Sequence, residues 1–233
     1  MSQDLLPFLT QQTYTMVAKG SKKKRLADID KAVLDHGYRT VRNSSNRDMV
    51  TYENIADPTK KIISHRGTDT SGKKTFKEIK GDVSLALGLQ NHDPEFKKRT
   101  NRTKAIVKKH PDDTFKMSGH SFGGSTATHA ITNSSMLRGR IDTVDTYNAG
   151  MTPLFTNALK HGAKVKRDLK DRVTHHRVKG DIVSEGLRVT KPVGRVMEHK
   201  AKDDLPDSVF GALSEGQSIS NTQGKIHSLE NFY

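Results

Sequence analysis

The stretch from Thr114 to Ala130, TFKMSGHSFGGSTATHA, most narrows what this chain can fold into. Its centre, Gly119 to Gly123, fits the G-x-S-x-G pattern of a nucleophile elbow, a sharp turn between a strand and a helix. Such a turn holds its serine, here Ser121, in a strained backbone conformation with the hydroxyl clear of the sheet. The flanks suit it, because apolar and polar residues alternate before the turn and small residues follow it. The other interpretation is a glycine-rich turn whose serine only caps a helix.

Strand-like and helix-like patterns alternate along the rest of the chain, which favours an α/β fold with a mostly parallel central sheet and helices on both faces. The predicted strands cover residues 39–42, 49–52, 60–65, 114–118, 141–147 and 172–178, and the predicted helices cover 26–34, 76–87, 94–109 and 153–163. Residues 187–198 are predicted to form an irregular hairpin. The 233 residues suit one domain over 1–233, with 1–20 as an N-terminal arm or helix.

The composition excludes several classes of protein. The chain has no cysteine, so it forms neither disulfides nor cysteine-ligated zinc sites. No run of apolar residues is long enough for a transmembrane helix, and the first twenty residues lack the basic and apolar regions of a secretory signal. These features predict an intracellular or particle-associated protein.

The charge is strongly basic, with 40 lysine and arginine residues against 26 acidic ones and a net charge of +14. The basic residues are spread over clusters, which predicts electrostatic contact with an anionic membrane or another polyanion. No aromatic-interleaved RNA module or zinc finger accompanies them, so sequence-specific binding of nucleic acid is not expected. A solvated basic surface without a partner is the alternative.

A nucleophilic serine needs a base, a carboxylate behind the base and donors for an oxyanion. Asp181 follows a predicted strand and a glycine, which places it at the carboxyl edge of the sheet, where ligands bind in such folds. His227 lies near the C-terminus in an otherwise apolar segment that could bring it over Ser121; a surface or capping histidine is the alternative. The other carboxylates considered after the serine are Asp142, Asp145, Asp168 and Asp171.

Six segments in order resemble the class 3 lipases, the fungal-lipase-like branch of the α/β-hydrolases: ISHRGT, GDVSLALG, SGHSFGG, YNAG, VKGDIVS and IHSLENF. The resemblance implies Ser121 as nucleophile, Asp181 as acid and His227 as base. It also implies an oxyanion hole formed by Thr68 and the backbone N–H of Phe122. The chain departs from the family at Phe122, where a leucine is usual, and at His65, where the family prefers a bulky apolar residue.

The motifs together predict a serine hydrolase that cleaves a carboxylic ester, with a lipid ester favoured, through an acyl-enzyme and without metal or cofactor. The segment after Thr68 is polar and rich in lysine, unlike the amphipathic lid of interfacial lipases, so strong interfacial activation is not expected. The alternative is a hydrolase-fold scaffold or packaging protein that uses its basic surface in an assembly and has a weak or vestigial triad.

Overall fold

The computed structural model describes residues 5–68, 94–150, 163–181, 183–184, 192–200 and 227–232. The strands are β1 (Tyr38–Thr40), β2 (Met49–Asn54), β3 (Lys60–His65), β4 (Thr114–His120), β5 (Ile141–Tyr147), β6 (Val173–Val178) and β7 (Arg195–His199). The helices are α1 (Leu5–Gln12), α2 (Lys22–Val33), α3 (Pro94–Lys109), α4 (Phe122–Thr132) and the short α5 (Ser135–Arg138), and residues 163–169 are also helical. Short 3₁₀ helices cover Thr13–Val17, Leu34–His36, Arg42–Ser44 and Leu229–Phe232.

The seven strands form a sheet in the order β1-β2-β3-β4-β5-β6-β7. β1, β2 and β3 pair antiparallel, whereas every pair from β3 to β7 is parallel. Because the parallel strands run the same way, their carboxyl ends meet at one edge of the sheet, and Ser121 directly follows β4 at that edge. This sheet confirms the predicted fold class.

Helices cover both faces of the sheet, and each face has its own apolar core. On one face, Ile63 and Met117 pack with Ile106 and Val107 of α3 and Ile131 of α4. On the other face, α1 and α2 pack against the strand residues that alternate with these. The buried residues of this second core include Leu9, Leu26, Ile29, Val50, Tyr52 and Ile62. The period of two along β2 and β3 therefore sends neighbouring side chains to opposite cores.

The first described residues form part of the second core. α1 buries Leu9, and the 3₁₀ helix that follows it buries Met16. The Thr10 hydroxyl hydrogen-bonds the Ser118 hydroxyl over 2.7 Å, and the Tyr52 hydroxyl donates to the Leu9 carbonyl over 2.8 Å. The N-terminal segment thus packs against the central strands as a helix.

Several predicted elements differ from the structure. β1 ends at Thr40, before the predicted strand end at residue 42, because Arg42–Ser44 forms a 3₁₀ helix. Residues 187–191 of the predicted hairpin at 187–198 lie outside the described residues, and Arg195–His199 is a strand parallel to β6. The predicted helix 76–87 and nearly all of the predicted helix 153–163 lie outside the described residues. No helix in the described ranges is long and apolar enough to cross a membrane.

Candidate active site

Ser121 lies on a strained turn between β4 and α4. Its φ of 54° and ψ of −128° place it outside the regions that non-glycine residues commonly adopt. Its backbone N–H donates to the Tyr147 carbonyl over 2.9 Å, which ties the turn to the neighbouring strand β5. Its side chain forms no capping hydrogen bond with α4, so the interpretation of Ser121 as a helix cap is wrong. Ser121 is 8% exposed.

The glycines of the motif are required by close packing. A Cβ on Gly123 would lie 2.2 Å from the His65 carbonyl oxygen, because the first turn of α4 rests directly on the end of β3. A Cβ on Gly119 would lie 2.5 Å from the Gly123 backbone. The G-x-S-x-G spacing thus lets the strand and the helix approach each other around the serine.

Asp181 is completely buried at the end of β6. Gly180, with a φ of 85°, turns the chain there, and the Asp181 carboxylate accepts hydrogen bonds from the N–H groups of Val183 and Ser184. Burial by itself raises the pKa of Asp181, but the charge and the hydrogen bond of His227 and the bonds from the following residues outweigh it. The pKa lies below the ordinary carboxyl value, so Asp181 is ionised at neutral pH.

His227 lies against this carboxylate. Its Nδ1 is 2.9 Å from Asp181 Oδ1. Since the ionised carboxylate can only accept, Nδ1 carries the proton, and in the neutral ring Nε2 keeps a free electron pair. The fold therefore brings together two predicted site residues that are 46 positions apart in the chain.

His120, which precedes Ser121, connects the elbow to the segment that carries His227. Its Nε2–H donates to the His227 carbonyl over 2.8 Å, and its Nδ1 accepts from the Tyr14 hydroxyl over 2.7 Å. Burial, and then the charge of His227, lower the pKa of His120 to about 3, so the ring is neutral and makes both bonds with one proton. Sequence reasoning assigned no role to Tyr14 or His120.

The C-terminal segment is also anchored by aromatic packing. Phe232 lies with its ring centre 5.1 Å from that of Tyr147 and 5.2 Å from that of His199. His176 stacks on Tyr147 at 5.0 Å and hydrogen-bonds both His199 and Asp145. Asp145, one of the alternative acids, is thus engaged with His176 on β6, while His227 is bonded to Asp181.

The other alternative acids lie elsewhere. Asp168 pairs with Arg172 at 3.1 Å and, more distantly, with Arg138 at 4.0 Å, at the opposite end of the parallel strands from Ser121. Asp142 and Asp171 are exposed near the starts of β5 and β6. Of the acids considered, Asp181 is the one hydrogen-bonded to His227 in the described part of the chain.

The turn Arg66-Gly67-Thr68, which carries the predicted oxyanion residue Thr68, lies beside the elbow. A Cβ on Gly67 would meet the Ser121 Cβ at 3.2 Å, the His120 carbonyl at 2.8 Å and the Tyr14 hydroxyl at 2.4 Å. Thr68, the residue after Gly67, is partly buried. Phe122, whose N–H is the other predicted donor, begins α4. One predicted donor thus directly follows Ser121, and the other directly follows the glycine that faces it.

The three triad candidates are not fully joined in this conformation. Within the described residues, Asp181 bonds His227 and His227 contacts His120, but no hydrogen bond joins the Ser121 hydroxyl to the His227 ring. Catalytic hydrogen bonds in unliganded sites are often long and shorten when substrate binds.

The described ranges contain no group of three or more histidine and acidic side chains arranged to hold a metal ion.

His65, the second departure from the resembled family, is a fully buried polar residue directly before the Arg66-Gly67-Thr68 turn. Its ring nitrogens lie 3.0 Å from the Thr126 hydroxyl on α4 and 3.1 Å from the Thr103 hydroxyl on α3. Burial, and then the charge of Arg99, lower its pKa to about 3, so it is neutral. Where the family has apolar packing, this chain has a hydrogen-bonded link between β3 and both helices.

The solved structures that match this chain include several fungal lipases. Lipase II from Rhizopus niveus is 13% identical, with a TM-score of 0.43, over 84% of this chain and 81% of that one. A mutant form of MDLA from Penicillium cyclopium is 15% identical, with a TM-score of 0.48, over 97% and 95%. The triacylglyceride lipase of Rhizomucor miehei is 17% identical, with a TM-score of 0.40, over 88% and 83%.

These matches are weak, with TM-scores between 0.40 and 0.48 and identities between 13% and 17%. No protein-family model matches the sequence, and no curated protein matches it. At these identities and TM-scores, the likeness assigns no activity to this chain.

Proposed function

We propose that this protein is a serine hydrolase that cleaves carboxylic esters through a Ser121–His227–Asp181 triad, with lipid esters such as acylglycerols or phospholipids as the favoured substrates. One observation carries the proposal: a serine with strained backbone geometry lies at the carboxyl edge of the sheet, and the residue before it, His120, contacts the His227 of a histidine–carboxylate pair with a 2.9 Å bond. Strain of this kind persists where surrounding structure enforces it and is concentrated at functional sites.

The proposed reaction follows from the protonation states. Asp181 holds the Nδ1–H of His227, so Nε2 takes the proton of the Ser121 hydroxyl as its oxygen attacks the ester carbonyl. The tetrahedral oxyanion is bound by the Phe122 N–H and by Thr68. Collapse releases the alcohol, which receives the proton from His227, and leaves an acyl-enzyme. Water, activated in turn by His227, then releases the acid.

A scaffold or packaging protein with a vestigial triad is the second candidate, and the net charge of +14 favours it. A scaffold needs no strained serine and no ionised carboxylate beneath a histidine, whereas a polyanion-binding surface is compatible with either function. The two candidates therefore differ in the reactivity of one hydroxyl.

The test is labelling by a fluorophosphonate probe together with hydrolysis of a short soluble ester. We expect the wild type to label at Ser121 and to turn over p-nitrophenyl butyrate. We expect Ser121→Ala to lose both while keeping the circular dichroism spectrum and unfolding midpoint, because the small side chain packs little. A wild type that neither labels nor turns over any of a panel of esters favours the scaffold.

A further inference from the structure

Arg99 is a buried arginine in the second turn of α3. Its side chain is 4% exposed, although the exposed face of this helix is rich in lysine. It lies on the buried stripe of α3 between Phe96 and Thr103. Burying a guanidinium is costly unless charge partners and hydrogen bonds offset the loss of water. The contacts of Arg99 therefore indicate why a guanidinium is buried at this position.

The first contact is with the turn that carries Thr68. Arg99 Nη1 donates to the carbonyl oxygen of Arg66. That carbonyl belongs to the planar peptide unit whose N–H is that of Gly67, so the bond fixes the orientation of this peptide plane. The Arg66 N–H in turn donates to the Asp48 carbonyl over 2.9 Å, which holds the same turn from the side of β2.

The second contact is with the residue after the serine. The guanidinium carbon of Arg99 lies 5.0 Å from the centre of the Phe122 ring, within the range of a cation–π interaction. Phe96, one turn earlier on α3, meets the same ring edge-on at 5.1 Å. The side chain of Phe122 is thus held from α3, while its backbone N–H begins α4 beside Ser121.

We propose that Arg99 is a positioning residue that holds the two sides of the oxyanion hole at a fixed separation, the Gly67–Thr68 turn through the Arg66 carbonyl and the Phe122 N–H through its ring. This inference rests on the proposed function. It also gives a reason for phenylalanine at position 122, since a leucine there offers no π face to the guanidinium.

An arginine suits this role better than a lysine. The planar guanidinium donates a hydrogen bond from Nη1 to the Arg66 carbonyl and another from Nε to Glu95 Oε1 over 3.3 Å. Its carbon lies over the Phe122 ring at the same time. An ammonium is a point charge and cannot make these three contacts at once. Burial lowers the pKa of Arg99, whereas the charges of Asp48 and Glu95 raise it and help keep the guanidinium ionised.

The test compares Arg99→Lys and Arg99→Ala with the control Arg102→Ala. Arg102 lies one turn further along α3 and pairs with Asp48, but its side chain is 40% exposed. Its hydrogen bonds among the described residues go to Asn46 and Asp48, and none goes to Arg66. The kinetic readout is kcat and KM for p-nitrophenyl butyrate, with guanidinium chloride added at about 20 mM as a chemical rescue.

We expect kcat to fall about tenfold or more in Arg99→Lys, and further in Arg99→Ala, because loss of one oxyanion donor costs about 10²–10³ and displacement costs part of that. KM should change by about twofold or less, and guanidinium should restore part of kcat in Arg99→Ala only. Arg102→Ala should keep the wild-type kcat. Equal losses in the Arg99 and Arg102 variants, or a wild-type kcat in Arg99→Lys, would overturn the proposal.

Hydrogen exchange separates this inference from the proposed function. We expect the amides of residues 66–68 and 122 to exchange faster in Arg99→Lys, with exchange in β5 unchanged, and no such effect in Arg102→Ala. If the wild type hydrolyses no ester, the proposed function fails, and the exchange measurement still decides whether Arg99 holds the two segments. Unchanged exchange there would overturn the positioning role. Should Arg99→Ala not fold, the Arg99→Lys data decide.

Discussion

At the scale of single residues, two positions of strained backbone lie at the carboxyl ends of neighbouring strands. Ser121 and Asn148 are the non-glycine residues with positive φ among those described, and each follows a strand at the same edge of the sheet. Asn148 is held by a 2.8 Å bond from the Val178 N–H to its side-chain oxygen. Because the Asn148 turn adjoins the end of β6, both strained positions lie close to the strand end that carries Asp181.

The carboxylate at Asp181 gives a prediction at this scale. Asparagine keeps the shape, but it has one acceptor oxygen where the carboxylate uses two for the N–H groups of Val183 and Ser184. It also carries no charge and can present N–H groups to His227, which favours the wrong tautomer. We expect Asp181→Asn to lower kcat by about 10⁴, the order found for a neutralised triad aspartate. Steady-state hydrolysis of p-nitrophenyl butyrate measures this.

The matched control is Asp145→Asn, because Asp145 bonds His176 and not His227. We expect its kcat to stay within a few-fold of the wild type. Wild-type turnover in Asp181→Asn together with a collapse in Asp145→Asn would move the acid of the proposed triad to β5.

At the scale of secondary structure elements, buried histidines connect strands to their neighbours. His65 ends β3, His120 ends β4 and His175 lies in β6, and all three are almost fully buried and hydrogen-bonded. Burial lowers their pKa values to about 3, about 3 and about 4. These rings stay neutral in the folded protein at pH values where they would be charged in the unfolded chain.

The sign of the resulting pH dependence follows from proton linkage. Between about pH 6.5 and the lowered values, the unfolded chain binds more protons than the folded protein, so the free energy of unfolding falls as the pH falls. Each such histidine contributes about 1.4 kcal/mol per pH unit over that window. Chemical denaturation between pH 4 and pH 8 measures the slope.

The variant that tests this is His65→Gln, which keeps hydrogen-bonding atoms but cannot be protonated. We expect its free energy of unfolding to fall less steeply than that of the wild type between pH 6 and pH 4, by the contribution of one histidine. His36→Gln, at an exposed position, serves as the control. An unchanged slope in His65→Gln would show that His65 is not held neutral.

At the scale of the whole molecule, the net charge of +14 is the dominant property beyond the fold. Several basic side chains are occupied internally, as with Arg99 at the turn and Lys61, which pairs with Glu53 and Asp113. Others, such as Lys22, Lys23 and Lys108, are exposed. We propose that the exposed charge attracts anionic membranes or other polyanions over a distance, while the site acts by short-range contacts.

This proposal predicts different responses to salt. We expect binding to anionic vesicles to weaken steeply as salt rises, since charge attraction is screened over about 8 Å at physiological ionic strength. Hydrolysis of a soluble ester should change little over the same series. Co-sedimentation and turnover on neutral and anionic vesicles measure both. Strong activation on neutral vesicles that does not depend on salt would instead indicate an amphipathic lid.

The sequence by itself determined the features whose cause is local. The G-x-S-x-G motif could be recognised because the elbow excludes side chains at Gly119 and Gly123, and that exclusion constrains residues within a few positions of one another. The alternation of strand-like and helix-like segments predicted the fold class, and the strand–glycine–Asp181 order predicted a carboxylate at the carboxyl edge of the sheet. The predicted roles of Ser121, Asp181 and His227 came from these local patterns together with the family resemblance.

Only the tertiary structure decided which distant side chains meet. Tyr14 and His120 are 106 positions apart, and Arg99 reaches a carbonyl 33 positions before it. Such contacts depend on strand order, register and the seating of helices on the sheet, none of which a local pattern encodes. The helix at 94–109 was predicted from the sequence, but neither the burial of Arg99 nor its partner was. The bracing of the elbow and of its neighbouring turn is therefore a property of the assembled fold.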